Sequence, residues 1–208
     1  MEQELEYKYN IAADQKEADM LEVIEQVLKN ESICVQKRTT RDRVFHYYDT
    51  AEFACLEKGW TLRRVAGFDP KNGDGKGLFR YDMKVGEVNT AARLEGKYWT
   101  DTSLSPAEVV AHFDCADQVA QCSVVASAGT RHHKFVVTFF GTTIEMSYDL
   151  FWHEDGELMF QELECELVKG DPAQLDAFCH MLRKASGETF SIVAVQKYQR
   201  VMDYIRSL

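Results

Sequence analysis

The sequence predicts an α+β fold, and two patterns carry that expectation. Eight segments alternate apolar and polar side chains with the period of two that marks a β-strand. Between and after them lie stretches whose apolar residues recur at helical spacing, two of which open on a proline suited to the first helical turn.

In chain order, Glu2 to Ile11 reads as the first strand, and Gln15 to Lys29 as a helix burying Met20, Ile24, Val27 and Leu28. Strands follow over Cys34 to Tyr48, Gly59 to Val65, Leu78 to Val85 and Ala92 to Thr100. The polar, glycine-rich run Asp69-Pro70-Lys71-Asn72-Gly73-Asp74-Gly75 reads as a hairpin loop within this group. Ser105-Pro106-Ala107-Glu108 combines an N-cap, an N1 proline and a capping-box glutamate, and opens a helix expected to run through about Val119. Three more strands are expected over Lys134 to Phe140, Thr142 to Leu150 and Leu158 to Val168, the last two joined by an Asp155-Gly156 turn. Asp171-Pro172 opens a helix with Leu175, Phe178, Met181 and Leu182 on one face, and a final helix fits Val195 to Ser207. Nothing suggests a linker between two cores, so residues 1–208 read as a single domain.

Hydrophobic residues make up 45% of the chain and its formal net charge is −10. That balance argues against nucleic acid or an anionic membrane as the main partner, because both need exposed Lys and Arg. Any anion site must therefore be local. The six cysteines form no CxxC pair and have no histidines at zinc-ligand spacing, which favours reduced, buried thiols. The opening residues Glu2, Glu4 and Glu6 lack the basic and apolar regions of a signal peptide, and no segment approaches a membrane span, so a cytoplasmic location is expected.

Three strands carry an ionic face. Glu4, Glu6 and Lys8 lie opposite Leu5, Tyr7, Tyr9 and Ile11; Glu162, Glu164 and Glu166 lie opposite Leu163, Cys165 and Leu167; and Glu145, Ser147 and Asp149 lie opposite Ile144, Met146 and Tyr148. One such face is ordinarily a solvated sheet surface. Three rows of like charge repel unless a cation compensates them, and a hard divalent ion such as Mg²⁺ or Mn²⁺ takes oxygen ligands and bridges to phosphates. The opposite half of such a site is offered by Arg63, by Lys84 with Arg80 and Asp82, by Arg93 with Glu95, and by Arg131, Lys197 and Arg200. Carboxylates and cations together suit a polyanion held through metal on one side and through Arg and Lys on the other.

These residues, in order, resemble the CYTH or triphosphate tunnel metalloenzyme family. Glu4-Leu5-Glu6-Tyr7-Lys8 matches its ExExK hallmark. It is followed by Tyr47-Tyr48-Asp49-Thr50, Leu62-Arg63, Met83-Lys84, Arg93-Leu94-Glu95, the Glu145 to Asp149 strand, Glu162-Leu163-Glu164 and Lys197-Tyr198-Gln199-Arg200. The resemblance implies an eight-stranded antiparallel β-barrel forming a tunnel, with flanking helices. It implies that Glu4, Glu6, Asp149, Glu162 and Glu164 hold Mg²⁺ or Mn²⁺, and that Lys8, Arg63, Lys84, Arg93, Arg131, Lys197 and Arg200 hold a triphosphate. Glu4, Glu6 and Lys8 would be central to catalysis, with Glu95, Glu145 and Glu166 as secondary candidates. Two departures stand out: the place of a second arginine after Arg63 is Val65, and the family's paired Lys and Arg near Arg131 are replaced by Arg131-His132-His133. Adjacent strand residues point to opposite faces, so one metal cannot easily take both histidines. Tyr47 and Tyr48 read as packing residues.

The leading expectation is a phosphohydrolase cleaving inorganic triphosphate. A class IV adenylyl cyclase is the alternative, then a thiamine triphosphatase, then a polyphosphate-binding module without turnover. The expected partner is a small-molecule triphosphate, and a homodimer stays open.

Overall fold

The computed structural model describes residues 2–67, 78–86, 92–113, 121–187 and 189–208. Its elements run β1 (Glu2–Ile11), α1 (Glu17–Asn30), β2 (Cys34–Asp49), α2 (Ala54–Glu57), β3 (Thr61–Ala66), β4 (Phe79–Val85), β5 (Ala92–Thr100), α3 (Pro106–Val110), β6 (Ser123–Phe139), β7 (Thr142–Trp152), β8 (Leu158–Lys169), α4 (Pro172–Ala185), β9 (Ser191–Ile192) and α5 (Lys197–Ser207). The sheet order β5-β4-β3-β2-β6-β7-β8-β1 closes on itself through β5–β1 pairing, giving a ring of eight antiparallel strands. β1 makes the closure by changing partners: Glu2 to Leu5 pair with β5, and Glu6 to Ile11 pair with β8. The short β9 adds to β1 at Tyr9 and Asn10.

Period-two alternation then sorts the side chains. The outward faces of β1, β6, β7 and β8 supply Tyr9, Ile11, Phe135, Val137, Ile144, Met146, Leu163 and Cys165 to one buried cluster. Met20, Ile24, Val27 and Leu28 of α1 and Leu175, Phe178 and Leu182 of α4 complete it. On the other side Tyr48, Leu62, Tyr81 and Met83 are covered by Cys55 of α2 and by Val109 and Val110 of α3. The oily core thus lies outside the ring, under helices. At one end the inward face also turns apolar, where Phe45, Tyr47, Val65, Ala126, Ala128, Phe151 and Phe160 receive Tyr198, Val201 and Met202 of α5. That helix closes the end.

Local chemistry sets the helix starts. The Ser105 hydroxyl accepts from the Glu108 N–H while the Glu108 carboxylate accepts from the Ser105 N–H at 2.7 Å, completing the capping box. Asp171 Oδ1 caps α4 by accepting from the Ala173 N–H at 2.9 Å. Gly156, at φ 92°, makes the turn between β7 and β8, a backbone conformation that costs glycine little.

Several boundaries differ from expectation. β6 starts at Ser123 rather than Lys134; its first half holds Ala126 and Ala128, which are small where α5 enters the ring and whose low strand propensity hides this part of the strand in the sequence. The helix opened by Pro106 ends at Val110; residues 114–120 and the Asp69 to Gly75 loop lie outside the described residues. The two-residue β9 and four-residue α2 are too short to show a period.

Asp49 ties the closed end together. Its Oδ1 accepts from the Thr50 and Cys55 N–H groups, both at 2.8 Å, and its Oδ2 accepts from the Leu56 N–H at 3.0 Å and the Tyr198 hydroxyl at 2.8 Å. Tyr198 in turn stacks on Tyr47 at 4.9 Å between ring centroids. Removing the carboxylate leaves several buried donors unpaired, so Asp49→Ala should lower the unfolding free energy by about 3 kcal/mol in urea titration. A loss under about 1 kcal/mol would show that these bonds are not what anchors α5.

Candidate functional site

The ring encloses a cavity of about 330 Å³ whose lining includes eight Lys or Arg and six Asp or Glu side chains. In a chain of net charge −10 these eight cations are a local concentration of positive charge, the feature an anion site requires.

The deepest acidic group is Asp149, Glu162 and Glu164. Asp149 pairs directly across from Glu162, and Glu164 stands two residues further along β8 on the same face. One ligand oxygen from each lies within 4.8 Å of the others. Lys197 Nζ sits 2.8 Å from Asp149 Oδ2, 2.5 Å from Glu164 Oε2 and 3.1 Å from Glu162 Oε1. The last contact lies off the hydrogen-bonding direction, so the buried Glu162 Oε1 has no hydrogen-bond partner. Burial alone would raise Asp149, but Lys197 and His132 outweigh it and hold the carboxyl well below the usual range. Burial likewise loses to Lys197, Lys8 and Lys84 at Glu164, whereas at Glu162 burial prevails and pushes the carboxyl up. Three hard oxygen donors, one with an unclaimed lone pair, suit a divalent ion of the Mg²⁺ or Mn²⁺ kind.

A second group stands on β1. Lys8 donates to Glu6 and lies 3.7 Å from Glu164. Lys84 Nζ donates to Glu4 at 2.5 Å and is 3.8 Å from Glu6 and 3.6 Å from Glu95. Burial, reinforced by Glu6 and Glu95, raises the Glu4 carboxyl despite Lys84. Arg63 Nε donates to the fully buried Asp82 at 2.9 Å, and Arg80 donates to the same carboxylate. A bay at the closed end is lined by Lys8, Thr61, Arg63, Lys84, Glu164, Gln196, Lys197 and Tyr198.

Two expected site residues lie elsewhere. Arg131 points outward, donating to Asp42 at 2.8 Å and to Glu17 at 3.2 Å, because its neighbours His132 and Lys134 hold the inward positions of β6. Arg200 stops behind Glu162: it donates to Glu162 Oε2 at 2.9 Å and to Asn10 at 2.6 Å, with its guanidinium 3.9 Å over the Phe160 ring. The backbone of Arg93 pairs opposite Glu4, and its side chain lies outside the described residues.

The histidine pair splits as alternation requires. His132 hydrogen-bonds Asp149 at 2.7 Å inside, while His133 joins Thr40 and Glu17 outside, both at 2.9 Å. Tyr47 and Tyr48 are buried packing residues and Cys165 lies in the outer core. Arg41, Arg43, Lys97 and Lys134 also line the cavity and were missed. Alternation from Phe45, Glu95 and His132 was the signal that could have found them.

The ring and its ionic interior define a tunnel-shaped protein whose wall carries carboxylates and cations together. Its fold is that of several solved structures. A candidate adenylyl cyclase from Hippeastrum with a dominant triphosphatase activity aligns at TM-score 0.63 and 14% identity, covering 96% of this chain and 95% of that one. A Pyrococcus horikoshii protein aligns at 0.58 and 16%, covering 98% and 99%. A candidate adenylate cyclase from Bacillus halodurans aligns at 0.57 and 14%, covering 96% and 98%. No protein-family profile and no curated protein matches the chain.

Glu166 faces Glu6 on one side and Glu145 on the other, and burial, then Glu4, push its carboxyl up to about 7. An acid raised on folding weakens the fold as pH climbs from its ordinary value of 4.5 toward the raised one. In chelator at pH 8, Glu166→Gln should be more stable than wild type by about 1–2 kcal/mol, after allowance for solvent screening. Urea titrations should show that advantage fading as pH falls to 4.5; an equal gap at both ends would refute the burial of this charge.

Proposed function

We propose that this protein is a divalent-metal-dependent phosphohydrolase that cleaves triphosphate, with inorganic triphosphate as its substrate. One observation carries the reading: carboxylate oxygens of Asp149, Glu162 and Glu164 converge within 4.8 Å of one another, and Asp149 and Glu164 line the same cavity as Arg63, Lys84 and Lys197. In this reading Glu4, Glu6, Asp149, Glu162 and Glu164 hold metal, and Lys8, Arg63, Lys84 and Lys197 hold phosphate oxygens, with Arg93 kept as a further contact. A bound divalent ion would neutralise phosphate oxygens and lower the pKa of an attacking water. The chain's own cations would stabilise charge on the transferring and leaving groups, which needs no nucleophilic side chain. The apolar seat of α5 keeps bulk water from the closed end, where these electrostatic contacts are strongest. The fold likeness to a protein with dominant triphosphatase activity supports the same reading. A single domain over 1–208 and a cytoplasmic location go with it, and no described helix is long and apolar enough to cross a membrane.

A second reading, the class IV adenylyl cyclase, has one observation in its favour. A cavity of about 630 Å³ adjoins the first, sharing Glu4, Glu95, Lys97 and Glu166 with it. Its wall includes Phe113 and a Tyr98 stacked on His112 at 3.6 Å between centroids, a surface on which a base could rest.

Purified protein incubated with triphosphate or ATP, each with Mg²⁺ or Mn²⁺, separates the two. Rapid orthophosphate release from triphosphate, slower release from ATP and none in excess chelator is the expected result. Glu4→Gln and Glu6→Gln should each lower turnover by roughly 100-fold or more with the melting temperature retained. Cyclic AMP and pyrophosphate as the main products of ATP would establish the cyclase instead, and full release in chelator would overturn the metal dependence.

A further inference from the structure

Lys197 occupies an unusual position for a phosphate ligand. It stands in the first turn of α5, yet its ammonium is spent on three carboxylates at 2.8, 3.1 and 2.5 Å. We infer that Lys197 is a tethered counter-cation that a divalent metal must displace from Asp149, Glu162 and Glu164, so that metal entry is what frees this lysine for phosphate. The inference rests on reading that trio as metal ligands.

An ammonium and a divalent ion cannot both sit against the same carboxylates in a buried site, because their mutual repulsion is weakly screened there. The helix itself is pinned: Gln196 donates to the Gly59 carbonyl at 2.7 Å and Tyr198 donates to Asp49 at 2.8 Å. Displacement therefore falls to the flexible four-carbon stem of Lys197. Lys197 already lines both the main cavity and the closed-end bay, so its stem can turn toward either; in the bay it would join Lys8, Arg63 and Lys84. Glu164 is the carboxylate on that bay's wall, and once its charge is taken up by a metal the four cations there favour a bound phosphate. Arg200, one turn further on the same helix, keeps the trio in place meanwhile by holding Glu162 Oε2 from behind.

Mn²⁺ titrated calorimetrically into wild type, Lys197→Met, Lys197→Gln and Lys197→Arg, without substrate, tests this. A lysine that only binds phosphate would leave metal affinity unchanged on replacement. Displacement requires Lys197→Met and Lys197→Gln to bind Mn²⁺ roughly tenfold or more tighter than wild type, and Lys197→Arg to stay within about threefold. Equal or weaker binding by both neutral variants overturns the inference, as does the absence of binding in all four proteins. Should the neutral variants not fold, acylation of Lys197 in wild type followed by mass spectrometry decides: saturating Mn²⁺ must raise its rate, and an unchanged rate overturns the inference. Neither readout needs turnover. Tighter metal binding in a protein that cleaves no triphosphate would sink the proposed function and leave the counter-cation standing.

Discussion

Every charge inside the ring has to be compensated inside the ring, and most of this structure follows from that requirement. Asp149, Glu162 and Asp82 are almost wholly removed from water, where an isolated carboxylate would be very costly. Cations are brought against them from several elements: Arg63 reaches Asp82 from the neighbouring strand and Arg80 from the same strand, and Lys197 of α5 reaches the trio, while Lys84 does the same for Glu4. The opposing signs are interleaved around the wall.

A charged interior forces the hydrophobic core to the outside. The outward positions of β1, β6, β7 and β8 are apolar because α1 and α4 lie on them, and those of β2, β3 and β4 because α2 and α3 do. The closed end is where the two regimes meet. There α5 buries Val201 and Met202 in an apolar seat while its first turn sends Lys197 among carboxylates. Asp49 links that helix to α2, so the Tyr47-Tyr48-Asp49-Thr50 segment fastens the end wall of the ring.

At 14 to 16% identity the solved structures establish the architecture. Eight cations gathered in an acidic chain, three convergent carboxylates and an orphaned Glu162 oxygen are the features that suit a metal-bound polyanion. Each is a property of this chain's own residues, which is where function must be argued.

Alternation along single strands made a good part of this legible from sequence. Glu4, Glu6 and Lys8 share a face, as do Glu162, Glu164 and Glu166, because successive strand residues point to opposite sides whatever the rest of the chain does. The caps at Ser105 and Asp171 were legible for the same reason, being set within four residues. What tertiary structure decided was the register between strands and the reach of long side chains. Arg131 is one residue from an inward position and so lies outside, against Asp42 and Glu17. Arg200 shares a helix with Lys197 but stops behind Glu162. Lys197 meets its three carboxylates only because β7 and β8 pair in one register and α5 enters the ring where Ala126 and Ala128 leave room. A period of two assigns each residue a side; which side is interior, and which charges meet there, is settled only when distant strands close the ring.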